Sequence, residues 1–320
     1  FFEIIINEVF MVNSFSENGV IIPENLMKTD ADIESVAVAC VKMADDNVLW
    51  QTESDFHSIA ICENDIGRFM RYGISFQAGF INSPLYKGNI PYLNYFHLPY
   101  FINPDAENIL LIGFGTGILV KQLEKVYKNL KKIDVVDIEE NILYIAKNFF
   151  GFEEGEKFEF FLQDALVYLR NNKKKYDLII VDVAGNEGID QRFFEDEFFS
   201  NIKKSLSKNG IFAFNSCANI DFDEGEDSFF GFTVGKYKEY FKNFAVFNGK
   251  TSDTLYYKVF FDIDKRVIDV TNAIIIASDG TINPDVFQKP KAASEIQKIG
   301  VDIKRSEEHT SELQSQFRIS

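Results

Sequence analysis

Two hydrophobic rhythms follow one another along this chain. Between Asn47 and Tyr86 the apolar runs are short, "NVLWQTES", "HSIAICEN", "RFMRYG" and "ISFQAGF", with polar breaks and Asn-Asp and Gly punctuation between them. Short runs bounded by turn residues predict a small antiparallel sheet. The segment "NIPYLNYFHLPYFI" then sets Tyr92, Tyr95, Phe96 and Tyr100 at helical spacing. From Glu107 onward the rhythm lengthens. The continuous apolar runs "NILLIG", "KIDVVDI", "FEFFLQD", "YDLIIVDV" and "GIFAFNS" alternate with the amphipathic stretches "ILVKQLEKVYKN", "EENILYIAKNFFG", "ALVYLRNN" and "RFFEDEFFSNIKKSLS". Strands apolar at every position, separated by helices, belong to a parallel sheet covered on both faces. After the acidic loop "DFDEGEDS", a helix in "GKYKEYFKNF" and closing antiparallel strands in "FAVFNG", "TLYYKVFFDI" and "AIIIASD" are predicted.

The expected fold class is therefore α/β: a doubly wound Rossmann-like domain over residues 105–304, preceded over 49–104 by a β-rich antiparallel cap and the aromatic helix. Residues 1–48 form an extension that fits no single element. "FFEIIINEVFMV" reads as a strand, and "ADIESVAVACVKMA" mixes helical and strand character. The stretch "RSEEHTSELQS" resembles the peptide obtained by translating a common sequencing-library adapter. Residues 305–320 are accordingly expected to be a non-native, disordered tail.

Composition narrows the partners. A chain of 320 residues with 46% hydrophobic and 26% charged residues fills a real core, as two domains or one domain with an appendage. Its net charge of −16 repels nucleic acid and suits cationic or small zwitterionic ligands, although an acidic surface also simply keeps a protein soluble. Cys40, Cys62 and Cys217 show no CxxC or CxxH spacing, which predicts a reduced, cytoplasmic protein without structural zinc. With His309 in the tail, only His57 and His97 remain, so no three-histidine metal site is expected. The apolar opening is too short to span a bilayer and no signal-type region precedes it, so no membrane partner is expected. The missing initiator Met suggests a fragment or a trimmed sequence.

The first chemical signal is "LLIGFGTGILV". Gly113, Gly115 and Gly117 sit where a buried strand turns into a helix, the place where a backbone must bend sharply and let a ligand approach. Asp137 ends the next strand, twenty residues beyond Gly117, where a carboxylate can accept both hydroxyls of a ribose. A helix-capping role for such an acid is the alternative. Ile118 stands where a third glycine would favour a dinucleotide pyrophosphate. Asp164 ends the third strand, within the reach of an adenine amino group, and Asp182 ends the fourth. Acids at three strand ends, with few basic residues in the loops, suit an adenosine carrying a sulfonium better than a phosphate.

In their order and spacing these segments resemble the spermidine synthase family of the class I methyltransferase fold, over roughly residues 49–280. "SDFHSIAICEN" through "RFMRYGISFQAG" resembles the family's β-cap, and "IPYLNYFHLPYFINPDAENILLIGFGTG" its gate-to-glycine-loop segment. "VDIEENILYIAKNFFGF" resembles its ribose-binding unit, and "YDLIIVDVAG" with "FFEDEFFSNIKKSLSKNGIFAFNS" its fourth-strand segment. The resemblance implies that Gly113, Gly115 and Gly117 line an adenosylmethionine-type ligand, that Asp137 holds ribose and that Asp164 holds the adenine amino group. It also implies that Gln77 and Tyr92 face the active-site cavity and that Asp182 is the first acid of a D-x-x-D motif. His57 replaces a glutamine-like position and either faces the cavity or lies on a surface strand; His97 reads as a core residue.

Three departures bear on activity. Thr116 replaces the acid of a G-G-G-D-G-like loop. Tyr92, Leu93 and Asn94 stand where the family's gate carries a Tyr-His-Glu-like triplet. Gly185 replaces the second acid of D-x-x-D, the group that in the family takes the proton from the attacking amine. A protonated amine is no nucleophile, so another base is needed. Glu187 and Asp190 follow in the loop and are candidates, alongside a plain role as solvated acids. The leading expectation is an aminopropyltransferase using decarboxylated S-adenosylmethionine and a diamine such as putrescine, with Asp182, Tyr92 and Glu187 as catalytic candidates, no metal, and a possible homodimer. The alternatives are a small-molecule methyltransferase using intact S-adenosylmethionine and a non-catalytic nucleoside-binding protein.

Overall fold

The computed structural model describes residues 9–11, 47–65, 67–73, 75–82, 87–89, 91–183, 189–216, 218–219, 229–248 and 270–282. After β1 (Val9–Met11), strands β2 (Asn47–Glu53), β3 (Ser58–Asn64), β4 (Gly67–Tyr72), β5 (Ser75–Asn82) and β6 (Lys87–Asn89) form an antiparallel meander in sequential order. This is the expected cap. Between β4 and β5 the register slips, because Met70 pairs with Ala78 while Arg71 pairs with Phe76. Gln77 is therefore the extra residue of a β-bulge, a device that re-aims a side chain out of strict alternation.

The aromatic segment departs from the single helix expected. Pro91–His97 is a 3-10 helix, and α1 (Pro99–Ile102) is a separate turn with Pro99 in its first position. Proline has no N–H to donate, so it starts a new helix more readily than it continues an old one.

The large sheet contains β7 (Asn108–Ile112), β8 (Lys132–Asp137), β9 (Phe158–Leu162), β10 (Tyr176–Val181), β11 (Leu206–Asn215), β13 (Asn243–Asn248) and β15 (Ala273–Ser278), with β1 at one edge. Its order is β9-β8-β7-β10-β11-β15-β13-β1. The first five strands are parallel and the rest antiparallel. A small pair, β12 (Ala218–Asn219) with β14 (Val270–Thr271), stands apart. Helices α2 (Ile118–Val126), α3 (Ile142–Phe150), α4 (Ala165–Asn171), α5 (Asp196–Ser205) and α6 (Phe229–Tyr240) complete the alternation. None of the described helices is long and apolar enough to cross a membrane. The expected strand in residues 254–263, the tail at 305–320 and most of the extension lie outside the described residues.

One helix is split. The stretch expected as one element from Arg192 becomes a 3-10 helix, Gln191–Phe194, followed by α5. Glu195 between them is extended, with φ −84° and ψ 158°, and Asp190 caps the first piece by accepting from the Arg192 N–H.

The unbroken apolar runs are explained by two cores. Ile109 and Leu111 of β7 face one layer with Leu123, Val135 and Ile145, while Leu110 and Ile112 face the other with Val181, Phe199 and Phe212. Period-two alternation places neighbouring residues on opposite faces, so a sheet covered on both sides needs every position apolar. Ile59, Ile61 and Met70 of the cap join the first layer. Asp134 interrupts the run in β8 and is fully buried. Its carboxylate accepts from the Tyr176 hydroxyl at 2.7 Å, the Lys174 ammonium at 2.6 Å and the Tyr168 hydroxyl at 3.3 Å.

His97 is a core residue, as expected. It is wholly buried, Nε2 pairs with Gln122 Oε1 at 2.9 Å, and Nδ1 has no partner. Burial pushes its pKa down to about 4, partly opposed by the Gln122 bond. The unfolded chain takes up this proton near pH 6.5 and the folded chain does not, so stability falls as pH drops from there toward 4. The loss amounts to about 3 kcal/mol. In urea titrations His97→Leu, whatever its stability at neutral pH, should lack this acid slope; an unchanged slope would contradict the buried neutral imidazole.

Candidate functional site

The order of the parallel strands creates the site. β7 is followed outward by β8 and β9 on one side, while β10 and β11 lie on the other, so the direction of winding reverses between β7 and β10. Ligands of open α/β sheets bind outside the carboxyl ends of the strands at such a reversal. Gly113 follows β7 there, and Asp182 follows β10.

The two strand ends press together. The Asp182 N–H donates to the Ile112 carbonyl at 2.9 Å, and the Gly113 N–H to the Val136 carbonyl at 2.9 Å. Gly113 has φ +91°, and a Cβ there would lie 2.0 Å from the Asp182 carbonyl oxygen. Gly117, with φ +74°, caps α2, and its missing Cβ makes room for the Phe152 ring. Gly115, with φ +54°, is the open position: among the described residues only the Ala78 methyl group, at 3.6 Å, comes near a Cβ built there. Ala78 belongs to the cap and follows the bulged Gln77, so the bulge and the glycine loop face each other.

Asp137 ends β8 beneath the loop. One carboxylate oxygen accepts the Phe114 N–H at 2.7 Å and the other accepts the Glu139 N–H at 2.9 Å. Burial raises its pKa, against these two bonds and the nearby His57. Each oxygen keeps a free lone pair. The carboxylate can therefore receive two further hydroxyls without breaking what positions it.

Asp182 sits across the loop. Its carboxylate accepts from the Tyr92 hydroxyl at 2.9 Å and from Asn215 Nδ2 at 3.1 Å, and Asn215 also donates to Asn272 Oδ1 at 2.8 Å. Burial pushes its pKa up to about 6, although both hydrogen bonds pull the other way. Two separately predicted residues, Asp182 and Tyr92, are thus brought into direct contact.

The remaining candidates divide. Asp164 ends β9 but also caps α4, accepting the Leu166 and Val167 N–H groups at 2.8 and 3.0 Å. Its other oxygen lies 3.3 Å from Arg192 Nη2. Asp190 is occupied: it caps the 3-10 helix and pairs with the Arg192 guanidinium at 2.6 and 2.8 Å, a pairing that holds its pKa below the usual range. Glu187 and Gly185 lie outside the described residues. Thr116 is buried in the glycine loop.

Two contributors have no counterpart among the predicted site residues. Asn215, at the end of β11, holds Asp182; a polar residue closing an apolar strand was its only signal. Glu139, two residues after Asp137, is buried and accepts from Ser54, His57 and Asn141. These bonds hold its pKa below the usual range despite burial. His57 is buried rather than on a surface strand, and its ring stacks on Tyr72 with centroids 3.9 Å apart.

The Spermine/spermidine synthase domain matches residues 94–246. The polyamine aminopropyltransferase of Clostridium botulinum (strain Eklund 17B / Type B) is 32% identical over 171 residues, 52% of this chain and 58% of the relative. That of Methanocaldococcus jannaschii is 30% identical over 170 residues, 52% of this chain and 56% of the relative. The matched part thus spans a little over half the length of these relatives. Among solved structures, a spermidine synthase in complex with the transition state analogue AdoDATO aligns with TM-score 0.62 at 19% identity, covering 85% of each chain. The spermidine synthase from Thermotoga maritima aligns with TM-score 0.61 at 19% identity, covering 85% of this chain and 84% of that one. At such identities the structures establish a shared fold.

Proposed function

From the match of residues 94–246 to the Spermine/spermidine synthase domain, we propose that the chain is an aminopropyltransferase of that family, acting on decarboxylated S-adenosylmethionine and a diamine such as putrescine. The observation that carries the reading is the half-buried Asp182, held by Tyr92 and Asn215 at the switch point of the sheet, with its pKa raised to about 6.

The diamine arrives as a cation, and its outer charge suits the acidic field. Asp182 pairs with the ammonium that is to react and accepts its proton. Passing a proton from an alkylammonium of pKa about 10 to a carboxylate at about 6 is uphill by about 5 kcal/mol, against about 8 for an unperturbed Asp. Burial of the ammonium lowers its own pKa and narrows the gap further. The freed lone pair attacks the aminopropyl carbon next to sulfur as the C–S bond breaks. The electron pair of that bond stays on sulfur, methylthioadenosine leaves neutral, and the proton remains on Asp182. Asp137 would hold the two ribose hydroxyls with its spare lone pairs, and Asp164 the adenine amino group with the oxygen that does not cap α4. Gly115 leaves the loop open toward the ligand, and Gln77 borders it from the cap. Positioning of the two reactants supplies the rest of the acceleration. A small cationic amine as partner, a cytoplasmic location and a homodimer go with the same reading.

The test is release of methylthioadenosine when the purified chain is incubated with decarboxylated cofactor and putrescine. No release, with putrescine or any other diamine, would refute the reading. Thr116 favours a second one: a neutral hydroxyl in the glycine loop offers no counter-ion to an aminopropyl ammonium. A methyltransferase using intact S-adenosylmethionine would bind the carboxylated cofactor more tightly in calorimetry.

A further inference from the structure

Asp137 and Glu139 are two residues apart, yet their hydrogen bonding sets them to different tasks. Glu139 Oε2 accepts from Ser54 Oγ at 2.6 Å and His57 Nδ1 at 3.0 Å; Oε1 accepts from the Asn141 N–H at 3.1 Å and from Asn141 Nδ2 at 2.9 Å. An ionised carboxylate offers about four lone-pair positions. All of those on Glu139 are taken, so it has none for a ligand. Asp137 accepts only two bonds, and one of them comes from the Glu139 N–H itself.

The partners come from both sheets. Ser54 and His57 lie in the turn between β2 and β3 of the cap, whereas Glu139 and Asn141 lie between β8 and α3. The same cap turn is organised around Ser54, whose Oγ also accepts the Phe56 and His57 N–H groups at 3.2 and 2.9 Å. His57 in turn stacks on Tyr72 of β4. We propose that Glu139 is a positioning residue that latches the cap onto the nucleoside-binding loop, fixing the Asp137 carboxylate through its N–H and the His57 imidazole through its side chain. This rests on the reading of Asp137 as the ribose carboxylate.

The latch has a chemical consequence for His57. A carboxylate can only accept, so Nδ1 must carry the proton, and Nε2 in the neutral ring is left as an acceptor. Glu139→Gln preserves shape but places an NH2 group opposite Nδ1, which reverses the tautomer. Nitrogen NMR of the histidines reads this directly.

The experiment compares wild type, Glu139→Gln and Ser54→Ala after circular dichroism has established that each folds. In ligand-free protein, hydrogen exchange of the Phe114, Glu139 and His57 amides should quicken in Glu139→Gln, and the His57 tautomer should change. With methylthioadenosine in calorimetry, Glu139→Gln should bind about tenfold more weakly, and Ser54→Ala should shift in the same direction by less. In turnover the loss should appear in KM for the nucleoside cofactor, with kcat little changed. Unchanged exchange together with wild-type affinity in a folded Glu139→Gln protein would overturn the proposal. If wild type itself does not bind methylthioadenosine, the nucleoside reading fails; the exchange and tautomer measurements still decide the latch, and no change in either overturns it. If Glu139→Gln does not fold, Ser54→Ala carries the same comparison, and wild-type exchange and affinity there would overturn it.

Discussion

Asp182→Asn should lower kcat/KM by about two to four orders of magnitude, the usual worth of a positioned general base, while leaving methylthioadenosine binding nearly intact. The substitution keeps an acceptor for Asn215 and turns an NH2 toward the Tyr92 hydroxyl, which can accept from it, but removes the group that takes the proton. Wild-type kcat/KM should fall about tenfold per pH unit below the Asp182 pKa of about 6, and the mutant should lack that limb. A mutant within threefold of wild type would remove Asp182 from the chemistry and return the role of base to the loop after it.

Stability should move the opposite way. In the folded chain Asp182 holds its proton up to about pH 6, and in the unfolded chain only up to about 3.8. Between those values the native state binds more protons, so wild type is stabilised as pH falls through the window and carries the cost of an ionised, partly desolvated acid above it. The full shift is worth about 3 kcal/mol; with its partial solvent contact, about 2 kcal/mol is expected. Asp182→Asn, free of that cost, should be more stable than wild type at pH 7 and lose the advantage near pH 4. Higher stability with lower turnover is what a group strained for function produces.

The strands and their acids were legible because their cause is local. A two-faced parallel strand must be apolar throughout, and the acid that ends it marks where the sheet stops and the ligand edge begins. Asp137 and Asp182 follow from that rule, as does the glycine turn after β7. The helix breaks were less legible, since one proline at position 99 and one capping acid at 190 decide them against a helical pattern. The partners of Glu139 were not legible at all: Ser54 and His57 are 85 and 82 residues away in the chain. "VVDIEE" shows an acid two places after another, and nothing nearby says that a different sheet will close over it. Asn215 met Asp182 across 33 residues for the same reason. Asp164 shows the remaining ambiguity, because a strand-end acid followed by a helix satisfies the capping rule whether or not a ligand shares it.

Gly113→Ala should destabilise the fold by about 3–5 kcal/mol, a large share of the 5–15 typical of a domain. Two effects add. A φ of +91° is costly for a residue with a Cβ, by about 1–2 kcal/mol. The Cβ would also stand 2.0 Å from the Asp182 carbonyl oxygen and 2.9 Å from its carbon. Those are backbone atoms, and both chains are pinned by the Ile112 and Val136 carbonyls, so neither can swing aside as a side chain would. The ends of β7 and β10 would have to part, taking Asp182 from Tyr92. Gly115→Ala, in the same loop, separates this from any general intolerance of the turn. Its φ is also positive, but the nearest atom to the new Cβ is a methyl carbon at 3.6 Å, an ordinary contact. It should cost only about 1 kcal/mol, with its main effect on nucleoside affinity because the added methyl group faces the open side of the loop. Urea denaturation of the two variants side by side measures the difference. If Gly113→Ala unfolds within about 1 kcal/mol of Gly115→Ala, the close approach of the two strand ends is not what requires glycine there.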